Sequence, residues 1–95
     1  MVAVTDRAKE QLLDMKLSAN IQEPRLALRL QPDATGGWQL FPDQPVEGDQ
    51  VVEYEGSNVL LIGVEASDAL ADRRIDCRET EPGQPQLVLV RTDTA

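Results

Sequence analysis

Cys77 is the only thiol in the sequence, and no histidine accompanies it. Without histidine the usual general base and the commonest nitrogen ligand for metals are missing. Ser-His-Asp and Cys-His nucleophile schemes are therefore excluded within this chain. Cys77 itself has two readings. As a core residue it follows Ile75 by two positions in an alternating stretch, "RRIDCRE", and so shares that residue's face. A free cysteine packs as a small hydrophobe. As a reactive thiol it would need exposure and a lowered pKa, yet Arg74 and Arg78 project from the opposite face. Carboxylates are plentiful, and "DAT", "PDQPVEGD" and "EASDALAD" are places where a divalent cation could sit. None has the ligand spacing of a calcium loop.

The other unusual stretch is "DATGGWQLF", residues 33–41. Gly36 and Gly37 signal a sharp backbone bend or a close approach. They lack the spacing and the lysine of a phosphate-binding loop. Trp38 follows at the entry of a strand-like run. It is either a packing plug or an exposed docking aromatic. With Gly36, Gly37 and Phe41 it is a candidate for contact with a protein partner.

These residues have to be positioned by one small domain, residues 1–95. Its core must be aliphatic, since 41% of residues are hydrophobic but only 3% are aromatic. "VTDRAKEQLLDMKLSAN" predicts a helix capped by Thr5 or Asp6. Ala8, Leu12, Met15 and Ala19 should face inward, with Lys9, Glu10, Asp14 and Lys16 outward. Asn20 and Pro24 end it. "RLALRLQ" predicts a half-buried strand with Leu26, Leu28 and Leu30 on one face and Arg25, Ala27 and Arg29 on the other. "WQLF" is a short strand ended by Pro42 and Pro45. "QVVEYEGSNVLLIG" reads as two strands around a turn at Glu55 to Asn58. The unbroken apolar run Val59 to Ile62 predicts a strand covered on both faces. "VEASDALAD" is a short second helix with Val64, Leu70 and Ala71 inward. A strand around Cys77, a turn at "EPGQP", a final strand "QLVLV" and a short polar tail from Thr92 to Ala95 complete the chain. The fold class is α+β: mainly β, with mixed or antiparallel strands, an N-terminal helix and a short second helix.

Nine basic and seventeen acidic residues give a net charge of −8. Such a chain repels phosphate backbones and anionic lipid surfaces, so neither nucleic acid nor membrane is an expected partner. No stretch approaches the roughly 20 apolar residues of a membrane span. A lone cysteine and the lack of a secretory segment point to a cytoplasmic protein.

Taken in order, these pieces resemble the A-type iron–sulfur carriers, the HesB/IscA-like proteins. "VTDRAKEQLLDM" is similar to the family's opening helix, which follows a short N-terminal strand. "LALRLQPDATGGWQLF" resembles its strand and Gly-Cys-Ser-Gly-Phe-Gln-Tyr stretch. "EGDQVVEYEGSNVLLIGVEASDALADRRID" resembles its Gly-Asp, strand, Gly, strand, helix, Leu-Asp block, and "QPQLVLVRTD" its closing strand. The departures bear on function. Aligning Gly37, Trp38 and Gln39 with the family's Gly-Phe-Gln puts Thr35 where the first ligand cysteine belongs. The family's Cys-X-Cys pair lies in a tail beyond the closing strand, about where this chain ends, at Ala95. Cys77 falls at an ordinary strand position. The resemblance thus implies a degenerate member lacking the ligand cysteines. On this reading it is no enzyme and holds no cofactor, serving as an interaction or accessory module related to iron–sulfur cluster biogenesis. The alternative is a residual iron or iron–sulfur carrier in which Cys77 thiolates from two copies act across a dimer. The family's habit of self-association makes a homo-oligomer an expectation.

Overall fold

The fold begins where Thr5 ties the N-terminal segment to Asp76 in one hydrogen-bond network. In the computed structural model, which describes residues 2–81 and 83–91, β1 (Ala3–Val4) runs into helix α1 (Asp6–Ser18). The Thr5 hydroxyl accepts from the Ala8 N–H at 3.2 Å and donates to Asp76 Oδ1 at 2.9 Å. One side chain therefore caps the helix and ties it to a strand 71 residues away. At the other end Asn20 takes a left-handed φ of 62°. The N–H of Ile21 then reaches the carbonyl of Lys16 at 2.9 Å and that of Asn20 reaches Leu17 at 3.1 Å. This is a Schellman ending built on asparagine.

Two sheets follow. The first has the order β3-β2-β5-β4, from β2 (Ala27–Pro32), β3 (Trp38–Asp43), β4 (Gln50–Tyr54) and β5 (Ser57–Ile62). Its central pair, β2 and β5, is parallel, with Leu28 opposite Leu60 and Leu30 opposite Ile62. The outer pairs are antiparallel. Helix α2 (Val64–Ala69) leads to β6 (Arg73–Glu81) and β7 (Gln84–Arg91). These form the second sheet, order β1-β6-β7, in which β1 lies parallel to β6. The architecture is the α+β, mainly β arrangement the sequence predicts, with the short strand before the helix that the resemblance implies. Ala8 and Leu12 of α1 pack with Leu28, Leu30, Leu60, Ile62, Ile75 and Cys77 in one aliphatic core. Val59 to Ile62 are buried throughout, as an unbroken apolar run requires.

Several local expectations are corrected. Lys16 does not face water: it is 1% exposed, and Ala19 is the exposed residue instead. The expected outer face of β2 is also enclosed, since Ala27 and Arg29 are buried while Arg25 is exposed. The second helix ends at Ala69, and the inward contacts are Ala66 within it and Leu70 just past it, whereas Val64 is 60% exposed and Ala71 is exposed. The 55–58 turn narrows to Glu55-Gly56, with φ of 51° and 80°. Those left-handed values at both central residues are those of a type I′ hairpin. β3 runs through Pro42 to Asp43 because it is an edge strand, where a missing N–H can face outward. Pro82 of the expected turn and the expected tail, Thr92 to Ala95, lie outside the described residues. Among the described residues no helix is long and apolar enough to cross a membrane.

Candidate functional site

The glycine bend closes the β2–β3 hairpin, and Asp33 organises it. Its Oδ1 accepts from the Thr35 N–H at 2.9 Å, the Thr35 hydroxyl at 2.7 Å and the Gly37 N–H at 2.9 Å. The Asp33 N–H in turn donates to the Gly37 carbonyl at 3.0 Å. Gly36 is needed for its backbone, with φ at +86° and open space around the position of a Cβ. At Gly37 a Cβ would lie 3.2 Å from Asp33 Oδ2. The bend is thus built to satisfy its own donors. The Thr35 hydroxyl first, then the backbone N–H groups of Thr35 and Gly37, hold the Asp33 carboxyl below the usual carboxylate range. An Asp33→Ala variant should keep its fold but loosen this loop. Amide exchange at Thr35 and Gly37 should accelerate by about tenfold or more over the parent, while amides of β5 keep their protection.

The residues present do not fit an iron–sulfur cluster at the bend. Such clusters are held by thiolates. Thr35 offers a hydroxyl that already donates to Asp33. Cys77 lies on the inner face of β6, opposite Leu87, and is 5% exposed. This is the packing role that its alternation with Ile75 predicts. The acidic stretches supply no substitute, since no three His, Cys, Asp or Glu side chains converge among the described residues. In "PDQPVEGD" two carboxylates are taken by one cation. Arg29 donates through Nε to Asp43 Oδ2 at 2.6 Å, and through Nη1 and Nη2 to Asp49 at 2.9 and 2.7 Å. Nη2 also reaches the Gln44 carbonyl at 3.3 Å. Asp49 Oδ2 accepts from the Val46 N–H at 2.8 Å, so the loop folds around the guanidinium. Sequence reading missed this centre, because its partners lie 14 and 20 residues from Arg29.

The four residues proposed for partner contact do not form one surface. Gly36 is at the hairpin tip and Gly37 at its base. Phe41 stands opposite Arg29 in the β2–β3 ladder and so projects from the sheet face away from Trp38. Trp38 is half-buried and packed against the core. Together with Leu40 it forms one wall of a cleft of about 600 Å³ between the two sheets. Met15 of α1 and Leu87 and Leu89 of β7 are part of the rest, Gln11 and Gln86 add polar groups, and among the described residues no charged one lines it. The apolar run in "QLVLV", read as the final strand, supplies the far wall. What the sequence could not show was that β7 faces β3 across open space.

No family model matches the chain. Among solved structures, Escherichia coli SufA, described as involved in biosynthesis of iron–sulfur clusters, superposes with a TM-score of 0.69 over 95% of this chain and 84% of that one, at 16% identity. IscA, solved with its [2Fe-2S] cluster, gives a TM-score of 0.57 over 96% and 85% of the two chains, at 22% identity. The fold is HesB/IscA-like. A protein of Aquifex aeolicus (strain VF5) is 38% identical over 61 residues, covering 61% of this chain and 53% of its own length. The chain thus spans about half the length of that curated relative. On the HesB/IscA-like fold the glycine bend, the cleft and the buried Cys77 are three separate places, and the bend carries no thiol.

Proposed function

We propose that this chain is a non-catalytic HesB/IscA-like module, an accessory or protein-interaction component related to iron–sulfur cluster biogenesis. It does not hold a cluster through its glycine bend. One observation carries this reading: the position the resemblance assigns to a ligand cysteine is Thr35, whose hydroxyl is bonded to Asp33. The fold shared with SufA and IscA supports the link to cluster biogenesis. The apolar cleft beside Trp38 supports a binding role. Burial of Cys77 speaks against the carrier alternative, since a thiolate shared between two copies would have to leave the core.

Anaerobic reconstitution with ferrous iron and sulfide tests the proposal. The desalted protein should be colourless, with no visible charge-transfer absorption and sub-stoichiometric iron. Stable colour that Cys77→Ser abolishes would establish the carrier reading instead. Stable colour that survives Cys77→Ser would equally overturn the proposal, because some other ligand set would then be at work.

A further inference from the structure

The cleft is bordered by a strand edge whose open backbone groups and inward side chains belong to the same residues. Among the described residues β3 is the end strand of its sheet, bonded only to β2. The Asp33 N–H bonds to the Gly37 carbonyl, which sets the alternation of the antiparallel ladder. Gln39 and Phe41 then turn their backbone groups toward β2, opposite Gln31 and Arg29. Trp38 and Leu40 turn theirs to the open edge. Pro42, which has no N–H, falls on an outward position, where β2 loses no bond. The side chains of Trp38 and Leu40 line the cleft, with Leu87 and Leu89 on its far side.

We propose that β3 is a docking edge for an extended segment of a partner protein. The segment adds a strand beside Trp38 and Leu40 and lowers alternate aliphatic side chains into the cleft between the sheets. This rests on the binding role proposed above and names its partner class. Strand addition uses main-chain bonds for affinity and pockets for alternate side chains for specificity. Charge selects the occupant. Among the described residues the cleft wall has no charge, so the inward residues are neutral and aliphatic. The chain carries −8, so the residues facing away from the cleft are lysine or arginine. The same charge sets a second copy of this chain against itself.

The probe is a synthetic peptide alternating lysine with leucine and valine, titrated into the full chain and followed by Trp38 fluorescence and amide exchange. Binding should slow exchange of the Trp38 and Leu40 amides by at least about tenfold and weaken as salt screens the charges. N-methylation of the peptide on its edge-facing residues leaves the protein untouched and should cost at least about tenfold in affinity. Methylation on the other residues should cost little. No binding, equal binding of a glutamate-for-lysine peptide, indifference to methylation or protection away from β3 would each overturn the inference. So would self-association that protects the same two amides without peptide, which would make a second copy the occupant. The reconstitution result is read separately. A colourless protein that ignores the peptide defeats only the docking edge, and a coloured one defeats the accessory role whatever the peptide does.

Discussion

An Asp49→Ala variant should unfold with a free energy about 3–5 kcal/mol below that of the parent, the range for removing one partner of a buried ion pair. The Asp49 side chain is 2% exposed and that of Arg29 is 9% exposed. Both oxygens of Asp49 accept from the guanidinium, and Oδ2 also accepts from Val46. Its loss leaves Arg29 enclosed with only Asp43 and one carbonyl, and leaves the Val46 N–H without its acceptor. Asp43→Ala is the control. That carboxylate is 36% exposed, so water replaces much of what it gives, and its removal should cost far less. A double variant, Arg29→Met with Asp49→Leu, should be less destabilised than the sum of the two single changes, because no charge is left stranded. Urea unfolding followed by circular dichroism measures each variant. Parent-like stability of Asp49→Ala would mean that the network is ornamental.

The same residue fixes part of the acid response. The Arg29 hydrogen bond outweighs desolvation at Asp49 and, with the Val46 N–H, holds its carboxyl below the ordinary value of 3.8. Asp33, Asp43 and Asp76 are lowered as well, each by the donors that face it. As pH falls through 3.8 the unfolded chain takes up protons that the folded chain refuses. Stability from these groups is therefore complete above that value and is lost as pH descends to the folded pKa values. Asp49→Asn should flatten this acid limb.

How far this was legible in the sequence depends on whether residue type and periodicity agreed. Leu26, Leu28 and Leu30 announced a strand, and Val59 to Ile62 a doubly covered one, because pattern and type coincide there. At Arg29 they conflict. The alternation only assigns a face, and arginine is normally exposed. Its aspartates come from a loop that reads as proline-rich surface. The division into two sheets was not legible either, since β1 pairs with β6 across most of the chain's length. At the site the threonine in place of a ligand cysteine could be read from the motif. The Asp33 bonds that occupy its hydroxyl, and the wall that β7 offers to β3, required the fold.

Lys16 is the sharpest case of that conflict, and it carries the last prediction. It stands four residues after Leu12 and eight after Ala8, so the helical repeat alone puts it on the buried stripe of α1, while its type, which set the outward expectation, argued for solvent. The structure follows periodicity. The ammonium donates to the carbonyls of Asn58 at 2.6 Å and Glu23 at 3.3 Å. It thereby ties the connection between α1 and β2 to the start of β5. The same junction is held by the Asn58 N–H on Pro24 at 2.8 Å and the Asn58 amide on Arg25 at 3.0 Å. Lys16→Ala should cost about 2–4 kcal/mol, because it opens a void in the core and strips two carbonyls of their donor. Lys16→Met keeps the volume, loses only the donors, and should cost less. Burial pushes the amine below its ordinary 10.5. Between the folded value and 10.5 the unfolded chain binds a proton that the folded chain has released, so this group makes stability rise with pH across that window. Subtracting the Lys16→Met profile from the parent's between neutral pH and 10.5 isolates that rise. A flat difference would mean that the ammonium reaches water.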